Sequence, residues 1–202
     1  MIDQKTLDKI ELEALKRNIP VMQKEGLDFM ISLLNEEKAM TLLEIGSAIG
    51  YSAMRLVTNV EQLTVETIEL DDERFLEARK NIDQYGLQDQ IYLHHDNALT
   101  FDESQLVLKN FDALFIDAAK AQYQRFFEKY IPYIKENGVV IVDNLDFHGM
   151  VDHIEEIRSR NTRQLVKKIK RFRDWIFDHE LYDAHYYPVG DGIVVVRRKE
   201  TS

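Results

Sequence analysis

Cysteine is absent from all 202 residues. That removes disulfides, zinc-thiolate sites and a cysteine nucleophile together, and it fits a reducing compartment. Proline occurs 3 times, too rarely for a disordered linker-rich chain, and 45% of residues are hydrophobic, enough for one domain with a sizeable core. No apolar run approaches the ~20 residues of a membrane span. The opening MIDQKTLDKIELEALKRN has no basic segment followed by an apolar one, so it does not read as a secretory signal; the chain reads as cytoplasmic and free of membrane partners. Internal repeats, low-complexity tracts and Gly/Ser linkers are also lacking, so residues 1–202 read as a single domain.

Basic residues are in deficit, 26 against 36 acidic for a net charge of −10, which argues against a polyanionic partner. The deficit is uneven. RSRNTRQLVKKIKRFR, from Arg158 to Arg173, holds 8 basic residues and no acid. If 160–176 form one helix, Leu165, Ile169, Phe172 and Ile176 share an apolar stripe, with Arg160, Arg163, Lys167, Lys170 and Arg171 on the opposite face. A solvated surface explains such a run; an RNA-backbone contact explains it too.

Hydrophobic periodicity predicts helices over 3–17 and about 22–36, an N-terminal helical segment of residues 1–37. Strands then alternate with helices: strands at 41–46, 63–70, 90–95, 111–117 and 138–144, with helices from about Tyr51, over 72–85, near 103–109 and over about 122–135. Gly86 suits the position after a helix end. Segments 182–189 and 192–198 flank Gly190-Asp191-Gly192 and read as an antiparallel pair. The pattern predicts an α/β, Rossmann-like, doubly wound, mostly parallel seven-stranded sheet with a C-terminal antiparallel pair, the layout of class I methyltransferases. On this pattern alone a dinucleotide-binding fold stays open.

In such sheets ligands bind where strand C-termini open into a crevice. The first strand runs into Leu43-Glu44-Ile45-Gly46-Ser47-Ala48-Ile49-Gly50-Tyr51-Ser52. The spacing is G-x-x-x-G, neither the G-x-G-x-x-G of dinucleotide loops nor a P-loop. A carboxylate at Glu44 would discourage pyrophosphate and suit a cationic amino-acid moiety. Glu69, ending the second strand, can accept ribose hydroxyls. Asp96-Asn97-Ala98, after the third strand, lies where an adenine ring would sit; an Asx turn accounts for it equally well. Asp117 ends the fourth strand and Asp143-Asn144 the fifth. Two carboxylates and an amide at neighbouring strand ends suit a hard cation such as Mg²⁺ or Mn²⁺, although Asp and Asn also leave strands as ordinary turn residues. Lys120, three residues past Asp117, is a candidate general base whose ammonium a nearby cation would disfavour. The six histidines, His148 and His153 among them, show no ligand spacing and read as structural or surface residues.

The combination LLEIGSAIGYSA, TIELD, FIDAAKAQY and IVDN resembles the metal-dependent O-methyltransferases that include catechol and caffeoyl-CoA O-methyltransferases, over about Val21 to the C-terminus. The resemblance implies S-adenosylmethionine contacts from Glu44, Gly46, Ser52, Glu69, Asn97, Ala98 and Asp117, with Val21 and Met22 closing over the cofactor. It also implies metal ligation by Asp117, Asp143 and Asn144, a catalytic role for Asp117 and Lys120, and a homodimer. One departure is Ala119, where family members often carry a second Asp in D-A-D-K. Within the family the chain looks most like bacterial tRNA 5-hydroxyuridine methyltransferases, which implies O-methylation of 5-hydroxyuridine at the wobble position, with tRNA as partner. The rival readings are a catechol-type enzyme on a free small molecule, a nicotinamide-dependent oxidoreductase and a noncatalytic RNA-binding protein.

Overall fold

The computed structural model describes residues 2–146 and 149–200; His148 lies outside them. Two helices, α1 (Gln4–Lys16) and α2 (Lys24–Glu36), precede β1 (Thr41–Ile45), α3 (Tyr51–Asn59), β2 (Thr64–Glu69), α4 (Asp72–Gln84), β3 (Ile91–His95), β4 (Phe111–Ile116), α5 (Tyr123–Tyr130), β5 (Ile134–Val142), α6 (Arg160–Phe177), β6 (Tyr182–Tyr187) and β7 (Ile193–Arg198). The starts of α1, α4 and α6 are capped by short polar side chains. Asp3 accepts from the Thr6 N–H at 2.8 Å, and Asp71 from the Arg74 N–H at 2.9 Å, each satisfying one of the helix's orphan donors.

The seven strands form one sheet in the order β3-β2-β1-β4-β5-β7-β6. The pairs from β3 to β5 are parallel; β7 pairs antiparallel with both β5 and β6. This is the class I methyltransferase layout. The order in which successive strands are added reverses between β1 and the parallel β4, which opens a crevice at their C-terminal ends. Alternating side chains assign the two faces. Leu42 of β1 and Ile193 and Val195 of β7 pack with Leu27, Met30 and Leu34 of α2. Leu43 and Ile45 of β1, with Val194 and Val196 of β7, pack with Phe126 and Phe127 of α5 and Val166, Ile169 and Phe172 of α6. Among the described residues no helix is long and apolar enough to cross a membrane.

Four elements differ from the sequence expectation. The segment near 103–109 makes only a 3-10 turn at Glu103–Gln105. The helix expected to reach 135 ends at Tyr130 and passes into a 3-10 turn containing Pro132, because proline removes a backbone donor and crowds the preceding turn. β5 then begins at Ile134 rather than 138, and its register against β4 jumps from Phe111↔Ile134 to Ala113↔Val139. The polar stretch Lys135–Gly138 is absorbed as an irregularity in the strand. In α6 the buried residues are Val166, Ile169, Phe172 and Ile176; Val166 takes the place expected for Leu165, which is half-buried.

Candidate active site

Backbone hydrogen bonds beyond the regular ladder align the strand ends. The Asp96 N–H donates to the Glu69 carbonyl at 3.0 Å, the Gly46 N–H to the Ile68 carbonyl at 2.9 Å, the Asp117 N–H to the Ile45 carbonyl at 3.1 Å and the Asp143 N–H to the Ile116 carbonyl at 3.3 Å. Five sequence positions far apart in the chain are thereby set side by side along one edge. A cleft of about 1120 Å³ opens over it, lined by Gly46, Glu69, Asp96, Asn97, Asp117 and Lys120 among others. Ala98 lines it as well, and its carbonyl accepts from the Tyr130 hydroxyl at 2.6 Å.

Gly46 has a left-handed φ of +96°, and a Cβ there would lie 2.5 Å from the Asp117 carbonyl oxygen. Only glycine lets the loop leave β1 this close to β4. The loop then tucks the Ala48 N–H onto Glu69 Oε2 at 2.7 Å. Glu69 Oε1 accepts from the Leu70 and Asp71 N–H groups at 3.0 and 2.9 Å. Three backbone donors fix this carboxylate and leave it limited acceptor capacity toward the cleft. Asp96 Oδ1 accepts from the Asn97 N–H at 2.6 Å, and Asn97 Oδ1 from the Leu99 N–H at 3.0 Å, so the Asx turn is present and the Asn97 amide nitrogen is not consumed by it.

Glu44 and Ser52 lie behind the loop, outside the cleft lining. Glu44 is fully buried; its carboxylate accepts from the Ser52 hydroxyl and from Thr67 Oγ1 at 2.6 Å. Burial pushes its carboxyl up to about 7, against the pull of these two hydroxyls. Val21 is half-buried and Met22 buried in the helical core, whereas their neighbour Pro20 lines the cleft.

On the β4/β5 side, Asn144 takes a positive φ of 63°. Its amide nitrogen donates to Asp143 Oδ2 at 2.7 Å and reaches Asp117 Oδ1 at 3.5 Å. The three expected residues are therefore brought together. Burial raises the Asp117 carboxyl, and burial followed by the charge of Asp117 raises the Asp143 carboxyl to about 7. Lys120 opens the 3-10 turn that leads into α5. Burial lowers its ammonium, opposed by the charges of Asp117, Asp143 and Asp191. Two neighbours were not legible as site residues. Asp191 acts on both aspartates and on the lysine because β7 lies beside β5; its Gly-Asp-Gly setting reads in sequence only as a turn. The buried Tyr123 hydroxyl donates to the Asp143 carbonyl at 2.9 Å, and nothing in its sequence context sets it apart from a core tyrosine.

A model of the O-methyltransferase family matches residues 3–199. The chain belongs to the O-methyltransferase family. A solved structure of a Staphylococcus aureus protein, provisionally assigned as a caffeoyl-CoA O-methyltransferase, is 33% identical, with a TM-score of 0.90 over 96% of this chain and 92% of that one. The O-methyltransferase of Bacillus cereus, solved in complex with SAH, is 25% identical, with a TM-score of 0.81 over 98% of this chain and 93% of that one. The catechol O-methyltransferase of Niastella koreensis is 27% identical over 73% of this chain and 66% of its own length.

Two expectations are corrected here. The first is tRNA as partner and 5-hydroxyuridine as acceptor. Curated relatives of this O-methyltransferase are named caffeoyl-CoA and catechol O-methyltransferases. The basic face of α6 is also partly spent within the fold. Arg163 donates through Nε and Nη2 to the Ile157 carbonyl, Lys170 pairs with Asp174 at 3.0 Å and Arg173 with Asp152 at 2.5 Å. Arg160, Lys167 and Arg171 remain as exposed surface cations rather than part of a continuous phosphate track. The second is metal binding as a property of the chain: among the described residues no group of three or more His, Cys, Asp or Glu could hold a metal ion. The Asp117, Asp143 and Asn144 set contributes two carboxylates and one amide, one ionisable ligand short of such a group.

Proposed function

We propose that this O-methyltransferase transfers the methyl group of S-adenosylmethionine to a hydroxyl of a small aromatic acceptor. The observation that carries the reading is the single cleft in which the Gly46 loop, Glu69 and Asn97 meet Asp117 and Lys120. In this reading Glu69 takes a ribose hydroxyl, and the amide nitrogen of Asn97 meets the adenine ring. The names of the relatives, catechol and caffeoyl-CoA O-methyltransferases, support the acceptor class.

Lys120 is the proposed general base. Burial favours its neutral amine, which can take the acceptor hydroxyl proton and later release it to water. The cleft walls hold the resulting oxygen toward the methyl carbon, so catalysis rests largely on proximity and orientation. When bound, the donor supplies an electrophilic sulfonium methyl. Asp117, Asp143 and Asn144 are an oxygen-donor set of the kind Mg²⁺ or Mn²⁺ accepts, and a divalent cation there would lower the acceptor hydroxyl pKa.

Incubation with labelled S-adenosylmethionine and a panel of catechol, caffeate and caffeoyl-CoA tests the reading. Label is expected in a methyl ether product, and a wild-type enzyme that labels no member of the panel overturns it. EDTA is expected to suppress transfer and Mg²⁺ to restore it; full activity in EDTA removes the cation from the three residues.

A further inference from the structure

Helix α5 begins at Tyr123 and ends at Tyr130, which puts the two side chains on one face about two turns apart. Both rings are buried, in the apolar layer that α5 and α6 share with the sheet. Tyr123 packs edge-on against Phe172 at 5.6 Å, and Lys129 Nζ lies 5.4 Å from the centre of the Tyr130 ring. A buried tyrosine needs some partner for its hydroxyl, so burial alone marks nothing. What marks these two is where their partners lie. Tyr51, as deeply buried, accepts from Arg55 of its own helix. Tyr123 and Tyr130 instead donate to backbone carbonyls just beyond two different strand ends, Asp143 at 2.9 Å and Ala98 at 2.6 Å.

Each carbonyl lies where the sheet ladder has run out. β5 last pairs at Val142, with Ile116 on one side and Val194 on the other, and Asn144 then turns the chain off the sheet with its positive φ of 63°. β3 last pairs at His95, and Ala98 sits in the turn that the Thr100 and Phe101 N–H groups close onto the Asn97 carbonyl. A buried carbonyl past the end of a ladder needs a donor from elsewhere, and α5 supplies both. Neither ring lines the cleft, so neither touches what binds there. The turns they hold do belong to the site. Asn97 and Ala98 line the cleft at one end. At the other, Asn144 beside Asp143 reaches Asp117, and Lys120 opens the turn that runs into Tyr123. One short helix spans both ends.

We infer that α5 is a strut between the two halves of the site, in which Tyr130 is a positioning residue for cofactor binding and Tyr123 a positioning residue for methyl transfer. The Tyr130 hydroxyl fixes the Asn97–Ala98 turn that meets the adenine ring. The Tyr123 hydroxyl fixes the Asp143–Asn144 turn relative to Lys120. The inference rests on the methyl-transfer reading above and deepens it: loss of either hydroxyl releases one strand end and leaves the other held, so the two losses fall on different steps.

Tyr123→Phe and Tyr130→Phe each remove one oxygen and keep the ring. Calorimetric titration with S-adenosylmethionine, and kcat with the best acceptor of the panel above at saturation, separate the two roles. Tyr130→Phe is expected to weaken S-adenosylmethionine binding about three- to tenfold, the loss of one neutral hydrogen bond, with kcat kept. Tyr123→Phe is expected to lower kcat about tenfold by misplacing the reacting groups, with S-adenosylmethionine affinity kept. Core packing alone predicts no such split: equal losses of both parameters in both variants, or wild-type values in both, overturn the strut. Hydrogen exchange in the ligand-free protein provides a readout independent of turnover. Faster exchange is expected at residues 143–146 in Tyr123→Phe and at residues 97–101 in Tyr130→Phe, each with the other segment unchanged. That pattern upholds the strut even if no acceptor in the panel is methylated, in which case only the acceptor reading fails. Exchange unchanged in both variants, or raised throughout the chain in both, overturns the strut whatever the turnover.

Discussion

Glu44 holds a carboxyl in full burial with only two hydroxyls for company, and its behaviour with pH follows from that. Its folded pKa, about 7, lies above the ordinary glutamate value of 4.5, so the folded state retains a proton that the unfolded chain has already lost. Stability from this group is complete below the unfolded value and is lost as pH rises through 7. The size is about 3 kcal/mol at most. We expect the free enzyme's denaturation midpoint to fall between pH 5 and 8, and Glu44→Gln to flatten that fall. Asp143, raised in the same direction, leaves part of the slope in place. An identical pH profile in the variant would show that Glu44 titrates normally. For Lys120 the expectation is kinetic. Lys120→Ala should lower kcat by about 10²–10⁴-fold with little change in cofactor affinity, and the deficit should shrink at high pH, where the acceptor hydroxyl ionises unaided. A variant with wild-type kcat at neutral pH removes Lys120 from the chemistry.

At the level of the element, the Gly46 loop carries the sharpest constraint. Gly46→Ala must both hold a left-handed φ and push the Asp117 carbonyl away from 2.5 Å. Backbone strain of this kind costs about 1–3 kcal/mol, and the displaced strand end carries a site residue. Calorimetry should therefore record weaker S-adenosylmethionine binding together with a lower midpoint of chemical denaturation; unchanged binding would mean that the loop does not shape the cleft. Elements with one dominant signal were legible in the sequence. All seven strands were found because alternation and turn residues agree, and the strand ends Glu69, Asp96, Asn97, Asp117, Asp143 and Asn144 came with them. What was missed depends on tertiary context. The β5 irregularity sits in a polar stretch that resembles a helix end. The Ser52 hydroxyl donates to the buried Glu44 carboxylate, a pairing that no local motif announces. Asp191 joins the site through strand order, since only the insertion of β7 beside β5 carries it there. The basic run on α6 misled for a related reason: Asp152, Asp174 and the Ile157 carbonyl claim cations that look unclaimed in one dimension.

At the scale of the whole molecule, one sheet divides two apolar layers, and each inner strand contributes side chains to both. Perturbing either layer should loosen the same unit. Leu34→Ala, under α2, and Phe127→Ala, in α5, bury their losses on opposite faces. Each should cost about 2–5 kcal/mol and shift one shared thermal transition; two separable transitions would divide the chain into independent parts. The place of β7 has a consequence for how the protein is made. The last strand of the chain is not at the edge of the sheet but between β5 and β6. A nascent chain that has emerged only through β5 exposes the bare edge at Val139–Val142, a row of unpaired backbone groups flanked by apolar side chains. The turn that brings Asp191 beside Asp143 comes later still. β7 must therefore emerge before the sheet closes, and a chain lacking residues 190–202 leaves the β5 edge open and prone to aggregation. A loss of similar length from the N-terminus takes part of a surface helix and leaves every strand paired.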